Sequence, residues 1–106
     1  MVKSISSVEE FDQLLSDNEN VVVDFYGSWC TPCMKIAPHV ERLEKSFPTI
    51  TFVKVNVDEG TLNDLVTRYD VSSLPTFFFI KKGSIINKFK GADLHLLNQY
   101  TSLLNQ

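Results

Sequence analysis

The sequence of 106 residues contains only two cysteines, Cys30 and Cys33. This scarcity excludes the multi-disulfide framework that holds many small secreted domains together. Positive charge is also scarce, because 10 Lys and Arg stand against 13 Asp and Glu and leave a formal net charge of −3. Binding to nucleic acid or to an anionic membrane surface is therefore not expected. No apolar run approaches the roughly 20 residues that a membrane-spanning helix needs.

Targeting signals are missing from both ends of the sequence. Residues 1–5 lack the apolar core of a signal peptide, and residues 104–106 do not form a retention signal. We therefore expect a cytoplasmic protein. The length is that of one domain with a single hydrophobic core, here residues 1–106, and a monomer is the expected state.

The two cysteines lie three positions apart, where a strand is predicted to end and a helix to begin. Residues 21–26 form a short run of β-branched and aromatic side chains, which is typical of a buried strand. Downstream, apolar side chains recur at helical spacing as far as Phe47. One helical turn separates two Cα atoms by roughly 5–6 Å, a distance at which a disulfide can close. We predict that this pair is redox-active.

The position of each cysteine indicates its role in thiol–disulfide exchange. Cys30 lies at the N-cap or in the first turn of the helix, where unpaired N–H groups and the helix dipole favour an anion such as a thiolate. We predict that Cys30 attacks the target. Cys33 lies one turn deeper, on the side that packs against the sheet, and is predicted to resolve the mixed disulfide. Pro32 suits the first turn because its missing N–H costs no hydrogen bond there.

Apolar periodicity, caps and turn residues predict five strands and four helices. The predicted strands cover residues 3–5, 21–26, 51–57, 76–80 and 85–90, and the helices follow Ser7, cover 30–47 and 62–69, and follow Asp93. The order βαβαβα followed by ββα predicts an α/β fold with a central mixed sheet and helices on both faces. The early strands are expected to be parallel and the late hairpin antiparallel. Sites form at the carboxyl ends of strands in such sheets, and Cys30 directly follows one.

Several segments, in this order, resemble the thioredoxin family over essentially the whole chain. They are Val23-Asp24-Phe25-Tyr26, Trp29-Cys30-Thr31-Pro32-Cys33, Ile36-Ala37-Pro38, Val53-Lys54-Val55-Asn56-Val57-Asp58, Leu74-Pro75-Thr76-Phe77, Gly83 and Gly91-Ala92. The resemblance implies a thioredoxin fold, in which four helices flank a five-stranded sheet. It also implies a protein-disulfide reductase that carries electrons and maintains cell redox homeostasis. Such a protein acts on protein disulfides, binds no cofactor itself, and is re-reduced by an NADPH-dependent flavoprotein, thioredoxin reductase.

A proton acceptor is a further implication of the resemblance. Strand alternation places Asp24 on the face opposite Val23 and Phe25, and the residues alone leave two interpretations open: a carboxylate that reaches water near the strand end, or a buried one. The resemblance favours a buried carboxylate with a raised pKa that accepts the proton of Cys33. Lys54, on the neighbouring strand, is its expected charge partner, with a solvent-exposed lysine as the alternative.

Substrate docking is expected around the loop that precedes the fourth strand. Pro75 would ordinarily be trans, but the resemblance implies a cis-proline beside the cysteines. The backbone of Leu74 then pairs with the target chain like an added strand. Pro32 and Pro38 are expected to be trans. The predicted docking surface comprises Trp29, which is expected to be partly exposed, with Thr31, Pro32, Leu74, Pro75, Gly91 and Ala92.

Two departures from the family pattern bear on the redox poise. Thr31 stands where thioredoxins usually have Gly, and Met34 stands where they usually have Lys. Because residues around the cysteines influence thiolate stability, they influence the reduction potential. A dithiol oxidant or isomerase therefore stays open as an alternative function, and so does a thioredoxin-like binding module with dispensable cysteines.

Metal binding is a different interpretation of the cysteine pair, but no metal is expected. Zinc needs about four ligands. The other candidate ligands are His39, which is expected to point to a different side of the helix, and His95, which belongs to another predicted element.

Overall fold

Five strands and four helices make up the computed structural model, which describes residues 1–106. The strands are β1 (Lys3–Ser4), β2 (Asn20–Tyr26), β3 (Thr51–Asn56), β4 (Thr76–Lys81) and β5 (Ser84–Lys90). The helices are α1 (Val8–Asp17), α2 (Thr31–Ser46), α3 (Asn63–Arg68) and α4 (Leu94–Leu104), and a 3₁₀ turn over Gly60–Leu62 precedes α3. Every predicted element is present, and the ends differ by only one residue or so from those predicted.

The sheet is mixed and has the strand order β1-β3-β2-β4-β5. β1, β3 and β2 are parallel, whereas β4 is antiparallel to β2 and β5 is antiparallel to β4. The predicted combination of parallel early strands with a late antiparallel hairpin is confirmed. β2 is the central strand, and its last residue, Tyr26, pairs with Asn56 at the end of β3. The loop that carries the cysteines therefore leaves the sheet from its centre.

Alternation along the strands builds one apolar layer on each face of the sheet, because successive side chains of a strand point to opposite faces. The layer beneath α1 and α3 includes Phe11, Val21, Val23, Phe25, Leu65 and Phe78. The layer beneath α2 and α4 includes Val22, Ile36, Val40, Phe77, Phe79 and Leu97. Asp24 lies between Val23 and Phe25 in the chain and is therefore on the opposite face from them, as predicted, which is the face that α2 and α4 cover.

Side-chain caps begin α1 and α4 as the sequence predicts. The Ser7 Oγ accepts a hydrogen bond from the Glu10 N–H, and the Asp93 Oδ1 accepts one from the Leu96 N–H, both at 3.0 Å. The Ser7 and Glu10 pair is only half of a capping box, because the Glu10 carboxylate accepts from the Ser6 N–H at 2.7 Å rather than from Ser7.

The hairpin between β4 and β5 turns at Lys82 and Gly83, which have positive φ angles of 50° and 82°. Two positive φ angles are what the favoured two-residue hairpin turn requires. β5 is an edge strand, and most of its side chains are exposed. None of the helices combines the length and the apolar character needed to cross a membrane.

Candidate active site

The two cysteines form a disulfide across the first turn of α2. Their Cα atoms are 5.3 Å apart, within the range predicted from their spacing. Cys30 is the N-cap of the helix, and its Sγ accepts a hydrogen bond from the Cys33 N–H at 3.3 Å. Pro32 lies in the first turn, as expected. The helix start therefore directs a backbone donor at the Cys30 sulfur, where a thiolate would carry its negative charge.

Both sulfur-bearing residues are largely protected from solvent. Cys30 is 5 % exposed and Cys33 is 3 % exposed, so the predicted difference in depth between them is small. Their positions distinguish them more clearly. Cys30 precedes the helix and lines a surface groove, whereas Cys33 lies inside the first turn and does not line it. Of the two cysteines, Cys30 is therefore the one that a molecule in the groove can contact.

Asp24 is buried on the face of the sheet that α2 covers. It is 6 % exposed, and its Oδ1 has no hydrogen-bond partner. Burial disfavours the charged form and raises the pKa of Asp24 from 3.8 to about 7, although the charge of Lys54 opposes this rise. Of the two interpretations of the sequence, the buried carboxyl is the one observed. It can take up or release a proton near neutral pH.

Lys54 is a neighbour of Asp24 but not its salt-bridge partner. The two residues are register partners on β2 and β3, yet none of the ion pairs of the chain involves either of them. Lys54 Nζ instead lies 5.8 Å from the centre of the Tyr26 ring, within the range of a cation–π interaction. The influence of Lys54 on the pKa of Asp24 is therefore that of a nearby charge.

The peptide bond between Leu74 and Pro75 is cis, whereas those before Pro32 and Pro38 are trans. The cis isomer at Pro75 is the one that the resemblance implied, and the trans isomers at Pro32 and Pro38 are those expected. The Gly91 N–H donates a hydrogen bond to the Pro75 carbonyl oxygen at 2.8 Å. Gly91 has a φ of 96°, a region that favours glycine. The end of β5 is thereby joined to the cis-proline loop, which brings two of the predicted docking residues together.

An open groove of about 570 Å³ lies beside Cys30. Of the predicted docking residues, four line it and three do not; those that line it are Trp29, Thr31, Pro32 and Leu74, and those that do not are Pro75, Gly91 and Ala92. Sequence reasoning missed the other lining residues, which are Val57, Val66, Val71, Ser72 and Ser73. They follow β3, lie in α3 and precede β4, so no local motif marks them and only the fold brings them together.

Trp29 rests on a glycine that sequence reasoning also missed. Trp29 is exposed, as predicted, with 69 % of its surface accessible. A Cβ atom at Gly27 would lie 3.0 Å from Trp29 Cε2 and 3.3 Å from Leu74 Cδ1. A larger residue at this position would displace the indole or Leu74, so Gly27 shapes the groove. Its location two residues before Trp29 was the only signal available in the sequence.

This arrangement is suited to one kind of chemistry. A cysteine pair at a helix N-terminus, one member of which lines a groove, can in its dithiol form exchange with a disulfide. A buried carboxyl with a pKa of about 7 can take up a proton in such an exchange. No group of three or more His, Cys, Asp or Glu side chains is arranged to hold a metal ion, and His39 contacts the Arg42 guanidinium. The fold and the site define a dithiol–disulfide oxidoreductase.

Known proteins resemble this chain over nearly its whole length. The Thioredoxin family model matches residues 2–102. Thioredoxin 1 of Plasmodium falciparum (isolate 3D7) is 40 % identical over 99 residues, which cover 93 % of this chain and 93 % of that protein. Thioredoxin-1 of Saccharomyces cerevisiae is 37 % identical over 99 residues, which cover 93 % of this chain and 94 % of that protein.

Solved structures agree with these relatives. A structure of Plasmodium falciparum thioredoxin has a TM-score of 0.90 at 38 % identity and covers 96 % of this chain and 98 % of its own. Mitochondrial thioredoxin 3 from Saccharomyces cerevisiae, in the oxidized form, has a TM-score of 0.88 at 34 % identity, with 95 % and 93 % coverage.

The chain belongs to the thioredoxin family. It has the thioredoxin fold, a mixed five-stranded sheet with four helices. It is an oxidoreductase that reduces protein disulfides, and Cys30 and Cys33 are its redox-active pair.

Proposed function

We propose that the protein reduces its targets in two exchange steps, in which Cys30 attacks and Cys33 resolves. The Cys30 thiolate attacks one sulfur of the target disulfide, and the other target sulfur leaves as a thiolate and takes up a proton. Cys33 then loses its proton and attacks the Cys30 sulfur, which releases the second target sulfur. The target gains two electrons and two protons, and the protein is left with the Cys30–Cys33 disulfide.

The N-cap position of Cys30 is the observation that carries this assignment. Its sulfur accepts the Cys33 N–H and lies at the positive end of α2. Cys30 also lines the groove, so this residue combines stabilisation of a thiolate with access to a target. Cys33 has neither property and lies where it can attack the Cys30 sulfur from within the helix turn.

We assign the proton of Cys33 to Asp24. Val22, two residues before Asp24 on the same strand face, packs in one layer with Ile36, which lies one turn beyond Cys33. Their membership of one layer supports a position for Asp24 on the face of the sheet that α2 covers. A carboxyl with a pKa of about 7 is half ionised at neutral pH and can act as a base for a thiol. The positive charge of Lys54 keeps that pKa from rising further.

Target chains are proposed to dock in the groove beside Cys30. Trp29, Thr31, Pro32 and Leu74 supply its wall next to the cysteines. The backbone of Leu74 is proposed to pair with the target backbone like an added strand. Gly91 and Ala92 extend this surface, with Gly91 bonded to the Pro75 carbonyl.

The proposed redox cycle needs an electron donor and a reducing compartment. We propose an NADPH-dependent thioredoxin reductase as the donor, in an electron-transport chain that acts in the cytoplasm, where dithiols persist in the reduced form. Residues 1–106 are proposed to act as one domain and as a monomer. Oxidation of NADPH by a purified thioredoxin reductase, dependent on this protein and on insulin, tests the donor. Light scattering tests the oligomeric state, and fluorescence microscopy of the tagged protein tests the compartment.

A trapping experiment tests the roles of the cysteines. The Cys33→Ser variant should accumulate mixed disulfides with target proteins, because the resolving thiol is missing. The Cys30→Ser variant should accumulate none, and the wild-type protein should reduce insulin in the presence of dithiothreitol. Accumulation on Cys30→Ser instead would reverse the assignment. Insulin left intact by the wild-type protein would contradict the function itself.

Equilibration with glutathione separates a reductase from a dithiol oxidant or isomerase. A reductase has a reduction potential below that of the cytosolic glutathione couple, so its cysteine pair should be mostly oxidised in a buffer poised at about −230 mV. A pair that is mostly reduced there would have the higher potential of an oxidant, the alternative that Thr31 between the cysteines left open. A Cys30→Ser, Cys33→Ser double variant that retained full function in cells would favour the binding module.

A further inference from the structure

A second groove adjoins the active-site groove. Its volume is about 350 Å³, and Ser72 and Ser73 line both grooves. On its other side the second groove is lined by β5, at Lys88 and Lys90. Because the two grooves share a wall, a target chain bound beside Cys30 can continue over the two serines toward β5.

Two lysines without an ionic partner line this second groove. Lys88 and Lys90 are exposed and take part in none of the ion pairs of the chain. They share one side of β5, since residues two apart in a strand face the same way. Asp70 contributes the only carboxylate of the lining, so the groove has an excess of positive charge.

The region around β5 is basic in a chain that is acidic as a whole. Residues 71–92 include four lysines and no Asp or Glu, although the net charge of the chain is −3. Lys81 is engaged elsewhere, because its Nζ donates hydrogen bonds to the carbonyl oxygens of Leu104 and Gln106. Lys82 lies in the hairpin turn, at the opposite end of β5 from the cis-proline loop. Lys88 and Lys90 are the members of this group that line the second groove.

We propose that Lys88 and Lys90 form a subsite for acidic side chains of target proteins, a few residues along the target from the cysteine that Cys30 attacks. This inference rests on the proposed function and extends it to target selection. The shared wall at Ser72 and Ser73 places the subsite on the path of a bound target, and two unpaired ammonium groups complement carboxylates. Exposed charge pairs contribute only a small free energy to binding. The subsite therefore makes some targets react faster than others but does not decide whether a target is reduced.

Matched peptides test the subsite. Three peptides would have the same sequence around one cysteine, with either Glu, Gln or Lys at the flanking positions on both sides. Each would be joined by a disulfide to the same short neutral peptide and mixed with the pre-reduced protein, and the second-order rate constant would be read from quenched samples by chromatography. The wild-type protein should reduce the Glu peptide faster than the Lys peptide by about threefold to tenfold.

Two variants distinguish the subsite from net charge. In the Lys88→Gln, Lys90→Gln variant the preference should fall to less than about twofold. The control, Lys45→Gln with Lys82→Gln, removes the same charge from two exposed lysines outside the groove and should keep the preference. Asp70→Asn removes the opposing carboxylate and should strengthen it. All these variants should reduce the Gln peptide at the wild-type rate, which also checks that they fold.

Each outcome bears on one idea only. Equal rates for the Glu and Lys peptides, or the same loss in both double variants, would overturn the subsite while leaving the reductase intact. Failure of the wild-type protein to reduce any of the three peptides would count against the proposed function. A preference that persists at about 1 M salt, where the screening length is roughly 3 Å, would show that charge is not its cause and would also overturn the subsite.

Discussion

Asp24 and Lys54 are register partners on adjacent parallel strands, and yet their side chains form no ion pair. The ammonium group lies over the Tyr26 ring, and the Asp24 Oδ1 has no hydrogen-bond partner. Burial therefore dominates the behaviour of the carboxyl group and raises its pKa to about 7. We therefore expect both the stability and the redox chemistry of the protein to depend on this group.

The Asp24→Asn variant should be more stable than the wild type above neutral pH. Between the ordinary pKa of 3.8 and the folded value of about 7, the native state holds a proton that the unfolded chain has released. The stability of the wild type should therefore fall as the pH rises through this window, by up to roughly 4 kcal/mol. Asn resembles the neutral carboxyl group and has no such dependence.

Urea unfolding of both proteins between pH 4 and pH 8 measures this difference. The two free energies of unfolding should be similar at the acid end and diverge steadily toward the alkaline end, with the variant the more stable. A difference in free energy of unfolding that stays constant with pH, or that widens toward acid, would show that ionisation of Asp24 does not destabilise the folded protein.

The same Asp24→Asn substitution should slow the second exchange step. Loss of the base leaves the Cys33 thiol without an acceptor for its proton, and we expect a decrease on the order of 10² at neutral pH. In the wild type this step should accelerate with rising pH around a midpoint near 7, and the variant should lose that midpoint. Single-turnover quench experiments that follow the mixed disulfide with a model peptide separate the two steps. The attack of Cys30 is the internal control, and a slowdown confined to it would contradict the assignment.

The Lys54→Gln substitution should raise the pKa of Asp24 further. Lys54 is the nearby charge that opposes the effect of burial, so its removal favours the neutral carboxyl. Titration of the Asp24 carboxyl carbon by NMR in the oxidised protein measures the change directly. Lys45→Gln, at an exposed site on α2, serves as the control for net charge. An unchanged or lower pKa of Asp24 in the Lys54→Gln variant would show that Lys54 does not act on this carboxyl group.

Gly27→Ala should weaken target reduction by moving Trp29. The added methyl group would lie 3.0 Å from the indole and 3.3 Å from Leu74, so one of the two side chains must shift. We expect a changed Trp29 fluorescence spectrum and a lower kcat/KM for insulin. Gly60→Ala is the matched control, since nothing lies within 4 Å of a Cβ atom there. Equal effects of the two substitutions would argue against a specific contact.

Much of the fold was predictable because its signals are local. Ser7 and Asp93 mark helix starts through their own side chains, and the spacing of Cys30 and Cys33 is a property of one helical turn. The apolar run of β2 likewise indicates a strand that is buried on both faces. Patterns of this kind depend only on residues a few positions apart, so they can be recognised in the sequence.

The groove was only partly predictable because its far wall is assembled from separate segments. Val57, Val66 and Val71 resemble any other core valine in the sequence, and they become lining residues only when the end of β3 and α3 pack near Cys30. Proximity of this kind follows from the strand order β1-β3-β2-β4-β5, which no single segment contains.

The sequence by itself determined the chemistry of this protein: a cysteine pair one helical turn apart, at the start of a helix that follows a buried strand. Tertiary structure alone decided the environment of that chemistry. Packing left Asp24 without an ionic partner, set Trp29 against Gly27, and brought the lysines of β5 beside the serines of the groove. The physical reason is that reactivity begins with local covalent and helical geometry, whereas burial and proximity are properties of the whole folded chain.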